Sequence, residues 1–564
     1  MSAWGPELCD GGVTRFCLWA PDREAVTLEM DGAPSVNMER NGEGWFTALA
    51  PAPAGTRYRF RLDADLAVPD PASRLQSGGV HGWSVVVAPR FAWSAIEWRG
   101  RPWEEMVILE VHAGSLGGFE GIREKLPAIA ASGITAIELM PVNAFGGTRN
   151  WGYDGVLPYA VAEPYGSPAE LKTLVDAAHG LGVSVFLDVV YNHFGPDGNY
   201  LNAYASAFFH EEVDTPWGGA VAVDADPVHR FFVDNALMWL RDYRIDGLRF
   251  DAVHAIANDG FLDRMAREIR AALPERHVHL VLENEKNDAE RLRAGCYDAQ
   301  WNDDFHNVLH VLLTGETSAY YGDFADRPAE RLARCLKEGF IYQGEGSPNH
   351  DGKPRGKPSG DLPSTAFVAF LQNHDQVGNR AMGERLIRLT DRERLRAATA
   401  LLLLGPQIPL LFMGEDEGSE SPFLFFTDFH DELADAVREG RRREFAKFDA
   451  FADPEAREHI PDPNARGTFD ASIPEPGPAA GEWRALYREL LSLRQVHIVP
   501  RLKGAVGLSA EVMGEARVKT RWRMADGAML TILIDLGPGP KPLDEEEGTL
   551  IFCESNRFAA WISA

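Results

Sequence analysis

The sequence predicts an α/β protein, a (β/α)8 TIM barrel carrying an N-terminal β-sandwich and a C-terminal β-sandwich. Three observations carry that prediction. Four acidic motifs sit where strands should meet loops: Asp188-Val-Val-Tyr-Asn-His193, Gly247-Leu-Arg-Phe-Asp-Ala-Val-His254, Leu280-Val-Leu-Glu-Asn284 and Phe370-Leu-Gln-Asn-His-Asp375. Between residues 104 and 496, strand-like runs alternate with helical patterns, the signature of a parallel sheet. The two ends of the chain have instead the short runs and Gly, Pro, Asp and Asn turns of all-β units.

Residues 1–95 are expected to form the N-terminal sandwich, from runs such as Val13–Trp19, Ala25–Met30 and Tyr58–Leu62 with a turn at Asp31-Gly32. The barrel is expected over 96–496. Its strands are Met106–Val111, Ala136–Met140, Val183–Val189, Gly247–Phe250, His279–Leu282, Asp298–Trp301, Ala366–Leu371 and Ile408–Met413. Amphipathic helices such as Glu170–Ala178 lie between most of them. Gly-rich segments at 195–227 and 339–363 interrupt the alternation, and loops of that length in a compact domain are functional or disordered. The charge-free stretch Ala397–Gly414 approaches the length of a membrane span, but Gly405, Pro406 and Pro409 divide it into a buried helix and a buried strand. Residues 497–564, with Met529–Asp535 and Thr549–Cys553, complete the chain as the second β unit.

Composition excludes several classes. A length of 564 residues exceeds the roughly 250–300 at which one core stops growing. With 84 acidic against 56 basic residues the net charge is −28, which disfavours nucleic acid, and no long basic stripe exists. The run Asp544–Glu547 reads as a solvated loop. Five scattered cysteines include no C-x-x-C pair, so neither a disulfide framework nor a thiolate zinc site is expected. The segment Met1–Glu7 has no basic start or apolar signal core, and a reducing cytoplasm is the expected location, with no membrane partner.

A carboxylate at the C-terminal end of a barrel strand lies where the loops converge on one pocket. Buried there, it is costly unless it bonds to something or reacts. A single such Asp is usually a helix N-cap. Four in order, with Arg249 two residues before Asp251 and histidines beside two of them, are hard to explain as caps. A barrel-core ion pair of Arg249 with Asp251 is the alternative for that pair.

The order and wording of the four motifs resemble the α-amylase superfamily, glycoside hydrolase family 13, from roughly Met106 to Met413. The resemblance implies Asp251 as nucleophile, Glu283 as general acid/base and Asp375 as the carboxylate that steadies the transition state. Glycoside hydrolysis needs one protonated and one ionised carboxyl. Arg249 would keep Asp251 ionised, and Asp188 would support Arg249. His193 and His374 match histidines that bond sugar hydroxyls, although each alone reads as a core histidine. Tyr153 matches an aromatic that stacks on the same sugar. Trp217 remains open between glucan platform and loop anchor. Asn192 matches a calcium ligand of some amylases, but no companion oxygen set appears in 195–227, so no metal and no cofactor are expected. Phe16–Pro21 looks like the N-terminal sandwich of branching and debranching enzymes, where the domain helps position α-glucans or is purely structural.

Several segments resemble the maltooligosyltrehalose trehalohydrolase family within that superfamily: Trp301–His306, Phe423–Asp428, Arg443–Phe448, Pro461–Asn464 and Thr468-Phe469. The resemblance implies cleavage of the α-1,4 bond next to a terminal trehalose, with maltooligosyltrehalose and α-1,4-glucans as ligands. Asp303, Asp304, His306 and Glu285 are candidates to read the 1,1-linked glucose pair, or to support residues that do. Asn307 departs from the family, which often has a second histidine there. The alternatives are a glucan branching enzyme and, in another class, a non-catalytic glucan-binding scaffold. The three carboxylates argue against the scaffold.

Overall fold

The computed structural model describes residues 4–215, 218–256, 258–446, 451, 453–543 and 546–564. Eight parallel strands close on themselves in chain order: β1 Ile108–Val111, β2 Ala136–Leu139, β3 Ser184–Val189, β4 Gly247–Phe250, β5 His279–Leu282, β6 Ala299–Trp301, β7 Phe367–Phe370 and β8 Ile408–Phe412. All are the strands predicted, with ends shifted by two residues at most. They read clearly because a parallel barrel strand is buried on both faces and is therefore almost continuously apolar. Ile108, Phe186, Val281, Trp301, Phe370 and Leu410 belong to the cluster that fills the space between them.

Register decides where the charged residues fall. Pairing of β1 with β2 sets Glu110 opposite Glu138, and pairing of β3 with β4 sets Asp188 opposite Arg249. Four charged side chains thus occupy neighbouring strands inside a largely apolar wall. The uncharged stretch resolves into the helix Arg392–Leu404 followed by β8, as its Gly and Pro residues imply. Among the described residues no helix is long and apolar enough to cross a membrane.

The N-terminal strands form a four-stranded and a six-stranded sheet. Phe16, Leu18, Phe46, Tyr58 and Phe60 are buried in this unit. It leans on the excursion after β3: the Arg23 guanidinium donates to the Ala203 carbonyl (3.0 Å), and His81 meets the Tyr200 hydroxyl (2.6 Å) and Asp197 (2.9 Å). The excursion is ordered by these contacts and by the strand pair Phe209–Thr215 and Gly218–Val221. Trp217 lies outside the described residues.

The C-terminal residues form one five-stranded antiparallel sheet over Val506–Ser563. Barrel helices supply the layer it packs against: the Trp522 indole donates to the Leu336 carbonyl (2.9 Å), and Arg396 pairs with Glu554 (2.9 Å). In the acidic run, Glu546 pairs with Lys519 (3.1 Å) and Arg521 (2.7 Å), a correction to its reading as wholly solvated, because two cations of the sheet face it. Asp544 and Glu545 lie outside the described residues, as do Lys447 and Phe448 of the segment 443–448.

Candidate active site

The site is built around Arg249, whose side chain is fully buried at the end of β4. Its Nη1 donates to Asp188 Oδ2 (2.6 Å) at the end of β3 and to Asp251 Oδ1 (2.8 Å) just beyond β4. Its Nη2 lies 3.9 Å from Glu283 Oε2, beyond β5. The guanidinium sits 4.2 Å over the Trp301 ring on β6. One delocalised cation therefore reaches the ends of three strands and rests on an aromatic face from a fourth.

Two carboxyls of this group remain accessible, the side chains of Asp251 and Glu283 being 13 % and 16 % exposed. Desolvation pushes Glu283 from its ordinary 4.5 up to about 7; Arg249 opposes this, and the charges of Asp303 and Asp375 add to it. Desolvation likewise pushes Asp251 upward, against the pull of Arg249. The guanidinium contact at 2.8 Å favours the ionised form of Asp251, whereas Glu283 lies a full ångström farther from the cation. Ala252, directly after Asp251, adopts a left-handed backbone (φ 41°), and its N–H donates to Glu283 Oε2. That conformation costs a non-glycine residue about 1–3 kcal/mol, and here it aims a donor at the candidate acid.

Asp375 follows β7 and is the most open of the three, with 42 % of its side chain exposed. The Asn379 amide donates to its Oδ1 (3.2 Å), and His374 Nε2 lies 3.4 Å from the same oxygen. Tyr153 stacks on His374 with ring centroids 5.0 Å apart, and its hydroxyl donates to Asp188 Oδ2 (2.5 Å). Gly152 precedes Tyr153 at φ 107°, where a Cβ would meet the Pro141 carbonyl oxygen at 2.2 Å, so only glycine turns the chain there. His193 donates from Nε2 to the Tyr153 carbonyl (3.0 Å), and burial lowers its imidazole to about 4. The histidine thus fixes the Tyr153 loop as a neutral ring.

The structure brings Asp188, Arg249, Asp251, Glu283, Asp375, Tyr153, His193, His374 and Asp303 to one end of the barrel. The Gln376 amide donates to Asp303 Oδ1 (3.3 Å), and desolvation pushes Asp303 up to about 7, with Asp375 and Asp304 adding to the rise. Asp304 does not share this position. Fully buried, it accepts from the Ile341 and Tyr342 N–H groups (2.7 and 3.1 Å) and the Asn287 amide (3.0 Å), and it faces Arg355 at 3.3 Å. It anchors the 339–363 loop. His306 is buried beneath, with Nδ1 on the Leu371 carbonyl (2.5 Å) and Nε2 on the Tyr321 hydroxyl (3.2 Å). Glu285 is half exposed and lies 3.5 Å from His350.

Sequence reasoning passed over two carboxylates and left the contacts of a third open. Glu110 and Glu138, on β1 and β2, lie below the carboxylates in strands that look apolar, and nothing but their charge within those runs marked them. The third is Asp428, in the segment beyond β8: its Oδ2 accepts from the Thr148 N–H (2.8 Å) and hydroxyl (2.7 Å), and its other oxygen meets Arg149. Phe423 stacks on Trp151 at 5.3 Å, and the Trp151 indole donates to the Leu424 carbonyl (2.9 Å). The Phe423–Asp428 segment therefore clamps the loop that carries Tyr153.

Residues 81–217 match the model of the alpha amylase catalytic domain. The chain is 43 % identical over 454 residues to a malto-oligosyltrehalose trehalohydrolase of Saccharolobus solfataricus, covering 78 % of this chain and 80 % of that one. It is 40 % identical over 544 residues to the enzyme of the same name from Rhizobium sp. strain M-11, covering 91 % and 90 %. A crystal structure of a Salmonella typhimurium protein superimposes with a TM-score of 0.94 at 44 % identity, covering all of both chains. A shared barrel alone would not fix a family, but identity of this level across nearly the whole chain does: the chain belongs to the malto-oligosyltrehalose trehalohydrolase family of the α-amylase superfamily of glycoside hydrolases.

Proposed function

We propose that the protein is a retaining α-glycosidase that hydrolyses the α-1,4-glucosidic bond next to the terminal trehalose of maltooligosyltrehalose, releasing trehalose and a maltooligosaccharide. One observation carries the chemistry. A carboxylate ion-paired at 2.8 Å, Asp251, stands beside a carboxyl held near neutrality, Glu283. The guanidinium touches the first directly and favours its anion, whereas the second lies 3.9 Å away and burial favours its proton.

In this reading Asp251 attacks the anomeric carbon as Glu283 gives its proton to the departing glycosidic oxygen. Glu283, now ionised, takes a proton from the water that cleaves the glycosyl ester, and the anomeric configuration is retained. Asp375 stabilises the positive charge that develops on the sugar. The Tyr153 ring offers a flat apolar face, and His374 offers Nε2 to a hydroxyl. Asp303 and Glu285 are the polar groups suited to the trehalose side. Residues 1–95 are proposed as a unit supporting the β3 excursion, 96–496 as the catalytic unit and 497–564 as a C-terminal β unit.

The test compares a trehalose-capped maltooligosaccharide with a plain one of equal length. A buried polar group left unpaired costs about 1–3 kcal/mol. Two or three groups that bond the 1,1-linked pair therefore give discrimination on the order of 10²-fold or more in kcat/KM. Free trehalose is the expected product, with the plain chain cut far more slowly. Equal rates would overturn the specificity, and new α-1,6 branches on amylose would make the protein a branching enzyme.

A further inference from the structure

Glu110 has no part in the chemistry described above, yet both of its oxygens are committed to one residue of the site. Oε1 lies 2.5 Å from His374 Nδ1, and Oε2 accepts from the His374 backbone N–H at 2.9 Å. Both side chains are 1 % exposed. As a carboxylate Glu110 accepts on both oxygens, with Nδ1 as the donor to Oε1. Because Nδ1 donates, and because the other ring nitrogen faces the Asp375 carboxylate at 3.4 Å, both nitrogens of His374 are flanked by acceptors. An imidazole between two acceptors satisfies both only when each nitrogen carries a proton.

We propose that Glu110 is a positioning residue that keeps His374 doubly protonated and aims its Nε2–H at Asp375 and at the sugar hydroxyl beside it. The inference rests on the reading of this cleft as the glycosidase site. It adds a part that acts from the opposite side of the ring, on a strand whose pattern looks purely structural.

The surroundings of His374 fit this assignment. Desolvation lowers its pKa, but Asp375 and Glu110 outweigh that and raise it to about 9. Arg249, on β4, opposes the rise, and Glu138 and Asp188, on β2 and β3, sense the charge on the histidine. His112, beyond β1, is pushed down to about 4, first by burial and also by the charge of His374, so it stays neutral at pH 7. Tyr153, Trp151 and Trp301 contribute only ring faces and edges. The Glu138 oxygens have no hydrogen-bond partner among the described residues, and burial pushes that carboxyl well up, so it sits as the neutral acid and does not compete with Glu110 for the proton.

The sign follows from these directions. The charge on His374 is present below about pH 9 and lost above it. Without the Glu110 charge, the loss moves to lower pH by about 1–3 units, the size produced by one opposite charge at contact distance.

The experiment titrates histidine-labelled full-length protein by 15N NMR from about pH 5 to pH 10, the His374 signal being assigned by its disappearance in His374→Asn. Wild type, Glu110→Gln, Glu110→Asp and Glu138→Gln are compared, with kcat and KM on a trehalose-capped maltooligosaccharide. Glu110→Gln has the size of glutamate but can present only one acceptor oxygen. The expected result is an imidazolium at pH 7.5 in wild type and in Glu138→Gln, and a titration midpoint about 1–3 units lower in Glu110→Gln. In the last variant kcat falls about 10–10²-fold, more steeply as pH rises, while KM moves less than about threefold. Glu110→Asp restores the charge and so the pH profile in part.

A neutral His374 at pH 7.5 in wild type overturns the proposal without any variant. A uniform loss of activity at every pH with an unmoved histidine titration also overturns it, and leaves Glu110 a structural residue. The NMR readout needs no substrate, so an error about trehalose specificity changes the kinetic arm and leaves the titration intact.

Discussion

The pH profile of hydrolysis should report Glu283, and Asp303→Asn should move it. Raising a carboxyl from 4.5 to about 7 corresponds to about 3 kcal/mol of preference for the protonated form. At pH 7 roughly half of Glu283 then carries its proton, whereas an ordinary glutamate would hold one in less than about 1 % of molecules. The gain in competent acid is on the order of 10²-fold, the size expected of one well-placed general acid. The alkaline limb of kcat/KM is therefore expected near pH 7.

After desolvation, Asp303 and Asp375 are the influences that raise Glu283. Asp303 is itself held near 7, so the two carboxyls titrate over the same range and the wild-type limb belongs to the pair. Asparagine keeps the oxygen that accepts from Gln376 and removes the charge. Losing a negative neighbour makes the ionised form of Glu283 easier to reach. The limb in Asp303→Asn should shift to lower pH by about one unit or less and narrow to a single ionisation. The assay is kcat/KM from about pH 4 to pH 9 on a trehalose-capped maltooligosaccharide, with a glycosyl fluoride as control because fluoride leaves without a proton from the acid. An alkaline limb that stays put or moves upward in Asp303→Asn would refute the coupling. A limb retained with the fluoride would refute Glu283 as its origin.

Asp251→Asn should lower kcat by at least about 10³-fold with the fold intact by circular dichroism, since an amide of the same volume cannot form the glycosyl ester; turnover within tenfold of wild type would remove Asp251 from the nucleophile role. Arg249→Met should cost about 3–5 kcal/mol, because Asp188 and Asp251 lose the cation they bond at 2.6 and 2.8 Å. In that variant the orphaned carboxyls titrate higher folded than unfolded, so the folded state binds more protons and stability falls as pH rises above about 4, by up to ~1.4 kcal/mol per unit per group; urea midpoints that are flat from pH 5 to pH 8 would contradict this. Asp428→Asn should leave Thr148 and Arg149 competing for one oxygen, loosen the loop carrying Tyr153, and reduce kcat/KM about tenfold; unchanged kinetics would show that the Phe423 stack alone holds the loop.

The barrel was legible because its strands are apolar on both faces and end at Gly, Pro or carboxylate punctuation. The catalytic carboxylates were legible because four of them terminate successive runs. The outer site was less so, and helix geometry explains part of this. Asp303 and Asp304 open the helix Asp303–Thr314, and adjacent residues on a helix point about 100° apart. One therefore reaches the cleft side while its neighbour turns to the 339–363 loop. His306 is three residues on, on the face of Asp303 but about 4.5 Å along the axis, which is enough to bring it under the Leu371 carbonyl and out of the cleft. Phe423–Asp428 read as a specificity segment, but sequence spacing could not show that its partner is the loop after β2, nearly three hundred residues earlier.

Glu110 and Glu138 show the deeper limit. In Met106–Val111 and Ala136–Met140 a lone carboxylate looks like a solvent-facing position of an apolar strand, and only the closed barrel turns both inward. Once they are inside, charge balance constrains the whole site. Glu110, Asp188 and Asp251 bond as anions, and the cations among them are Arg249 and a protonated His374. Glu138, without a hydrogen-bond partner among the described residues, is pushed by burial toward its protonated form, and Glu283 is held near neutrality. Removing the Glu110 charge should therefore release one histidine without changing the net charge of the site. With His374 neutral, Asp375 loses a positive neighbour at 3.4 Å, but a negative charge has gone with it. Glu110→Gln should consequently lower the plateau and make activity fall more steeply as pH rises, because His374 discharges earlier. Asp303→Asn should move the limb set by Glu283 to lower pH and leave the His374 titration where it is. Two variants that alter one profile, one with the histidine titration moved and one with it unmoved, are a signature that loss of packing would not produce.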